Sequence, residues 1–162
     1  MLFIFLKTYQ IGSTPLEVKD IKIFIVNLRS TDRYNNISKQ FDNNNLFYER
    51  FSAVDGYNLS ITDAGGKRFT GLDVKNKPAL LSLDNGYTVL CSSENINYYS
   101  DSKILNHTLT ASELGCYCSH REIWLKMVKN NIPDALIIED DAILNDDFRN
   151  KFLTMLKHLP TD

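Results

Sequence analysis

The chain has 162 residues, 43% hydrophobic and 23% charged, with 18 basic against 20 acidic side chains and a net charge of −2. That length fits one domain of ordinary size, and the balance is that of a globular protein. There is no basic patch with interleaved aromatics, which argues against a nucleic-acid partner. Three cysteines, Cys91, Cys116 and Cys118, make an odd count with no disulfide framework, pointing to a reducing compartment.

The opening run Met1–Lys7 is apolar but too short to span a bilayer, and it lacks the basic start and small-residue cleavage site of a signal peptide. It reads as an edge strand or an irregular start, within an N-terminal extension over residues 1–20. Ile21 to Leu28 is rich in branched and aromatic residues and predicts a buried strand. Ser30 or Thr31 then caps a helix with Asp32 in its first turn, and Tyr34, Ile37 and Phe41 recur at helical spacing. Asn43 to Asn45 break that helix. Phe47 to Val54 predicts a second strand, closed by Asp55-Gly56, so a βαβ unit opens an α/β domain.

Between Tyr57 and His107 the pattern weakens. Gly65-Gly66 marks a turn. Ala79 to Asp84 and Tyr87 to Cys91 flank Asn85-Gly86, which predicts a hairpin inserted at about residues 79–92. Ser92 to Asn106 reads as loop. Thr110 and Glu113 then form a capping box, with Leu109 and Leu114 as its hydrophobic staple. The helix runs to about Lys129, with Leu114, Cys118, Arg121, Trp124 or Leu125, and Val128 along one face. Asn130-Asn131 ends it and Pro133 prevents its continuation. Ala135 to Ile138 is the next strand. Asn145 is placed to cap a last helix, with Asp146 and Asp147 in its first turn and Phe148, Phe152, Met155, Leu156 and Leu159 as its apolar stripe.

The strand Ala135–Ile138 ends abruptly in Glu139-Asp140-Asp141. Open α/β sheets bind ligands at the carboxyl ends of their strands, and three adjacent acids repel one another unless a cation sits among them. Hard oxygen ligands suit Mg²⁺ or Mn²⁺, which commonly carry phosphates. The plainer reading is a solvated strand end or a helix cap. Arg29 and Arg33 follow the first strand, where the helix macrodipole does not favour cations, and both are placed to reach a diphosphate. Asp55 is a candidate ribose or base contact, or the acid of an Asp-Gly turn. Gly115, costly inside a helix, implies a tight helix–strand contact. Cys116 and His120 lie four apart, but the spacing does not match a zinc site. A Cys116 or Cys118 nucleophile paired with His120 competes with a buried structural thiol.

Three segments taken together resemble glycosyltransferase family 25, the lipooligosaccharide galactosyltransferase group: Ile25 to Arg33, Phe51 to Gly56, and Leu109 to Ala142. The family shows a strand leading into an Arg-containing turn, an Ala-Val-Asp-Gly element, a Gly-Cys-x-x-Ser-His helix and an Ile-Leu-Glu-Asp-Asp-Ala strand end. The likeness covers about residues 21–158, with Tyr57 to Asn106 matching poorly. It implies an α/β, GT-A-like (Rossmann-like, nucleotide-sugar-binding) mixed sheet flanked by helices. The expected activity is metal-dependent, inverting transfer of a hexose, galactose from UDP-galactose, to a lipooligosaccharide, lipopolysaccharide or other surface glycan.

The resemblance implies a divalent cation, Mn²⁺ or Mg²⁺, on Asp141 and Glu139. Donor contacts would come from Asn27, Arg29, Arg33, Asp55, Glu113, His120, Glu139 and Asp140. Glu139 departs from the strict Asp-x-Asp pattern at its first place. Family members continue beyond the acidic motif, where the acceptor site and general base are placed. Residues 21–162 are therefore expected to be the donor half of a domain incomplete at its C-terminus. Cytoplasmic location, with peripheral association at the inner face of the membrane, would follow. A non-catalytic nucleotide-sugar-binding remnant and a metal-dependent phosphohydrolase are the alternatives, the latter disfavoured by the lack of a second acidic cluster with His ligands.

Overall fold

A computed structural model describes residues 4–7, 21–63, 65–76, 87–91, 94–98 and 110–158. It divides into two compact units, residues 1–52 with 123–162, and residues 53–122.

The first unit is built on a four-stranded sheet of order β1-β8-β2-β3. Its centre is β2 (Lys22–Asn27) and β8 (Asp134–Glu139), which run parallel with Lys22 opposite Ala135 and Val26 opposite Glu139. Ile23 to Val26 and Ala135 to Ile138 are all buried. Burial on both faces is what an unbroken apolar run means in a parallel sheet. β3 (Glu49–Ser52) adds in parallel to β2 after helix α1 (Thr31–Asn43), completing the expected βαβ unit. β1 (Ile4–Lys7) adds antiparallel on the free edge of β8.

Ser30 caps α1, its hydroxyl accepting from the Arg33 amide at 3.3 Å. Ile37 and Phe41 bury the helix against Ile21, Ile23, Ile25, Leu136 and Ile138. Asn45 adopts a left-handed φ of 50° just past the helix, as the Asn run foretold. The second strand is shorter than expected. It begins only at Glu49, because Phe47 points outward at 92% exposure and Tyr48 donates to Asp42 at 3.1 Å. Helix α4 (Phe148–Lys157) packs Phe152 and Leu156 on the same core as α1. It starts three residues later than its expected cap. Asn145 instead accepts from the Asp147 amide in an Asx turn ahead of the helix. Met155 is exposed rather than packed, and Leu159 lies outside the described residues.

The second unit carries an antiparallel sheet of order β5-β4-β6-β7: β4 (Ser60–Asp63), β5 (Arg68–Thr70), β6 (Tyr87–Cys91) and β7 (Glu94–Tyr98). The turn at Gly65-Gly66 is present, held by Asp63 Oδ1 accepting from Gly65 and Lys67, with Gly66 at φ 82°. A short helix α2 (Gly71–Asn76) follows. One expectation is corrected here: the segment read as loop after Cys91 supplies β7, which pairs antiparallel with β6. Residues 79–84 and the Asn85-Gly86 turn themselves lie outside the described residues.

Helix α3 (Ala111–Lys129) opens on the expected capping box. Thr110 N–H donates to Glu113 at 2.6 Å and the Glu113 amide to Thr110 Oγ1 at 3.2 Å. The staple residue Leu109 lies outside the described residues. Ala111, Leu114 and Cys118 are buried towards the start of the helix and Ile123 and Met127 towards its end, whereas Val128, expected on the Leu114 face, is 74% exposed. At about 100° per residue Ile123 and Met127 lie on the other side of the helix from Leu114, so the buried face changes sides along it. Asn131 at φ 52° ends the helix before Pro133.

Cys91 and Cys118 are joined in a disulfide, their Cα atoms 5.4 Å apart, and Cys116, on the surface, stays outside the bridge as a thiol. This overturns the reading that the odd cysteine count means no disulfide, and removes the premise for a reducing compartment. One bridge plus one thiol is also an odd number. The pairing needs strand β6 laid on helix α3, a juxtaposition no spacing in the chain encodes. It also removes Cys118 as a nucleophile.

Candidate functional site

In the first unit the parallel strands β2 and β8 end side by side in Asn27 and Glu139. The ladder continues one residue further, the Asp140 amide donating to the Val26 carbonyl at 3.1 Å. A tight turn follows, Ala142 N–H donating back to Glu139 at 3.1 Å. The three acids therefore have different surroundings. Glu139 is half-buried, Asp140 is 9% exposed and Asp141 is exposed.

Asp140 is held from two sides. Asn27, 1% exposed, donates through Nδ2 to Asp140 Oδ2 at 2.5 Å, and Arg33 approaches Oδ1 at 3.4 Å. The same Asn27 amide nitrogen donates to the Ser30 carbonyl at 3.0 Å, tying the end of β2 to the start of α1. Asn27 Oδ1 accepts from the Arg50 guanidinium, which also stacks over the Tyr34 ring at 4.5 Å. A buried carboxylate needs such partners, since an uncompensated one costs several kcal/mol.

The arrangement brings Asn27, Arg33 and Asp140 into direct contact, with Glu139 and Asp141 adjacent in the same strand end. Arg29 is exposed in the turn after β2. Sequence alone does not point to Arg50, and it reads Tyr34 only as part of the stripe of α1. A charged residue mid-strand, in Glu49-Arg50-Phe51-Ser52, is the signal that could have marked Arg50.

Asp55, Glu113 and His120 belong to the second unit. Asp55 organises a turn, accepting from the Tyr57 amide and from Asn58 Nδ2, each at 3.1 Å. Glu113 accepts from Thr110 at the helix cap. His120 is buried in α3. The Gly115 expectation is met in part: backbone packs directly on it, but from the turn at Val54–Gly56 and not from a strand. A Cβ at Gly115 would lie 2.6 Å from Gly56 N and 2.8 Å from Val54 O. Beside it Ser119 Oγ accepts from the Val54 amide at 2.8 Å and donates to the Gly115 carbonyl at 2.7 Å. Thus the Val54-Asp55-Gly56 element is clipped to α3 by a glycine and a serine one turn apart.

Charge is also paired at the other end of the first sheet. Lys22 and Lys126 both bond Glu49, the former at 3.0 Å. The Lys126 bond holds the Glu49 carboxyl below its usual range, with Lys22 assisting and burial opposing. Both ammonium groups lie over the Phe24 ring, at 5.9 and 5.4 Å. No helix among the described residues is long and apolar enough to cross a membrane.

The family model for glycosyltransferase family 25 (LPS biosynthesis protein) matches residues 20–162. A glycosyltransferase 25 family member of Drosophila melanogaster is 29% identical over 136 residues, 83% of this chain and 18% of the fly protein. An inactive glycosyltransferase 25 family member 3 of Mus musculus is 35% identical over 51 residues, covering 32% of this chain and 9% of that protein. Procollagen galactosyltransferase 2 of Homo sapiens is 29% identical over 51 residues, 32% of this chain and 8% of the human protein. The chain thus spans less than a fifth of the length of these relatives. No solved structure matches. With a family model reaching across nearly all of the residues that form both sheets, the chain belongs to glycosyltransferase family 25.

Proposed function

We propose that this chain carries the donor-binding part of a GT-A-type glycosyltransferase that moves a hexose, galactose from UDP-galactose, onto a surface glycan such as lipooligosaccharide. One observation supports this reading above the others. The polar cluster Asn27–Asp140–Arg33 lies where β2 and β8 end, with Asp141 exposed beside it, and ligands of open α/β sheets bind at that end. The family description and the galactosyl transfer named for the human relative agree with it.

The donor chemistry of the acids fits a hard divalent cation such as Mn²⁺ or Mg²⁺. Asp141 offers exposed carboxylate oxygens and Glu139 a second carboxylate, while Asp140 is already bonded by Asn27 and Arg33. Such an ion, when bound, supplies Lewis-acid stabilisation of the departing diphosphate. The chain's own residues do the rest. Asp140, oriented by Asn27, presents its remaining lone pairs to a ribose hydroxyl. Arg33 and Arg29 supply positive charge to the phosphates, the Arg33 side chain being more than half exposed while it pairs with Asp140.

Calorimetry with UDP and Mn²⁺ tests this. Saturable, Mn²⁺-dependent binding that falls at least about tenfold in Asp141→Asn, with unchanged melting, supports the site. Binding of UDP that ignores both Mn²⁺ and D141N sinks it. A second reading, a nucleotide-sugar-binding remnant without turnover, is favoured by the mouse relative whose name calls it inactive. Donor hydrolysis or transfer assayed alongside binding separates the two.

A further inference from the structure

Arg50 stands outside every role given so far. It lies on β3, opposite Ile25 of β2, and strand alternation puts it on the same face as Asn27 two residues further along. Its guanidinium bonds Asn27 Oδ1 and rests on Tyr34, in the first turn of α1. Two cations, Arg33 and Arg50, are thus gathered at a helix N-terminus, where the macrodipole disfavours them. Stability of α1 does not account for that placement.

Hydrogen-bond chemistry does. An amide can turn over about its last bond, exchanging its oxygen and nitrogen. A guanidinium only donates and a carboxylate only accepts. With Arg50 on one side and Asp140 on the other, Asn27 has one orientation that satisfies both: oxygen to Arg50, nitrogen to Asp140. Without Arg50 the oxygen loses its donor, and the flipped amide would set its oxygen against the Asp140 carboxylate.

We propose that Arg50 is a positioning residue of the nucleotide-sugar site, locking the Asn27 amide so that Asp140 is held in its binding orientation. This rests on the reading of that strand end as the donor site. Tyr34 is the flat support that keeps the guanidinium in place, a role for which an arginine suits better than a lysine.

The test is a double-mutant cycle on UDP binding with Mn²⁺, using Arg50→Met, Asn27→Ala and the pair, with thermal melting as control. R50M is expected to weaken UDP by about tenfold or more, the size of effect typical when a supporting partner of a ligand group is removed. Because Arg50 acts through Asn27, the double variant should bind within about twofold of N27A alone. Side-chain amide NMR gives a second reading that does not depend on ligand. The Asn27 NH₂ pair should shift and lose exchange protection in R50M. Unchanged affinity in R50M, additive losses in the pair, or an Asn27 amide signal indifferent to R50M would each overturn the proposal. Wild-type protein that fails to bind UDP would overturn the donor-site reading itself, and the NMR result would still decide whether Arg50 sets the Asn27 amide.

Discussion

Gly115→Ala sets two effects of opposite sign against each other. In an exposed helix interior alanine is preferred to glycine by about 1 kcal/mol. At residue 115 the new Cβ would stand 2.6 Å from Gly56 N, 2.8 Å from Val54 O and 2.9 Å from Gly56 Cα. All three are backbone atoms, so no side chain can swing aside. Helix α3 and the Val54–Gly56 segment must separate, which overpacking data put at about 1–3 kcal/mol. Separation also stretches the bond from the Val54 amide to Ser119 Oγ, 2.8 Å long, and an orphaned buried donor costs about 1–3 kcal/mol more. Net of the propensity gain, the loss is about 1–5 kcal/mol. For a chain of this length that is a fall in Tm of roughly 2–20 °C. Differential scanning calorimetry or far-ultraviolet circular dichroism measures it directly. A G115A protein that melts at or above the wild-type temperature would refute the packing argument and leave propensity in control.

The disulfide and the Glu49 cluster give two further predictions. With a sequence separation of 27 between Cys91 and Cys118, loop closure assigns the bridge roughly 3–4 kcal/mol, so reductant or Cys91→Ser should lower Tm. Thiol titration of the denatured, unreduced chain should find Cys116 alone, and three reactive thiols would refute the bridge. Glu49, whose carboxyl is held low chiefly by Lys126, contributes stability that is complete above its ordinary value of 4.5 and is lost as pH falls through its lowered folded value. Glu49→Gln should therefore narrow the gap in denaturant midpoint between about pH 7 and about pH 4, and an unchanged gap would refute the pairing.

What the chain disclosed from its letters alone follows from where the physics is local. β2 and β8 are buried on both faces, so they read as unbroken apolar runs. The start of α3 is set by Thr110 and Glu113, a contact three residues long. The antiparallel sheet is different. Its strands Ser-Ile-Thr-Asp, Arg-Phe-Thr and Glu-Asn-Ile-Asn-Tyr are short and polar, so no apolar run marks them, although β4–β5 and β6–β7 pair between neighbours in the chain. The Cys91–Cys118 bridge and the Arg50 contacts depend instead on partners far along the chain, Tyr34 and Asn27 lying 16 and 23 residues before Arg50 (50 − 34 and 50 − 27).

The acidic strand end shows how the two kinds of information combine. In sequence Glu139, Asp140 and Asp141 are three equivalent carboxylates, and their repulsion argues for a cation among them. The fold makes them unequal. Because the ladder runs on to the Asp140 amide, that side chain turns back over β2, where Asn27 and Arg33 neutralise it without an ion. The repulsion argument then falls on Asp141 and Glu139 alone. Arg33, expected to serve phosphate, is shared with Asp140, so an incoming diphosphate must compete for it or draw it outward by its exposed side. A site of this kind trades one internal ion pair for one with the ligand. Its affinity should therefore fall less steeply with salt than the number of its arginines would suggest, since one cation is already neutralised before the ligand arrives.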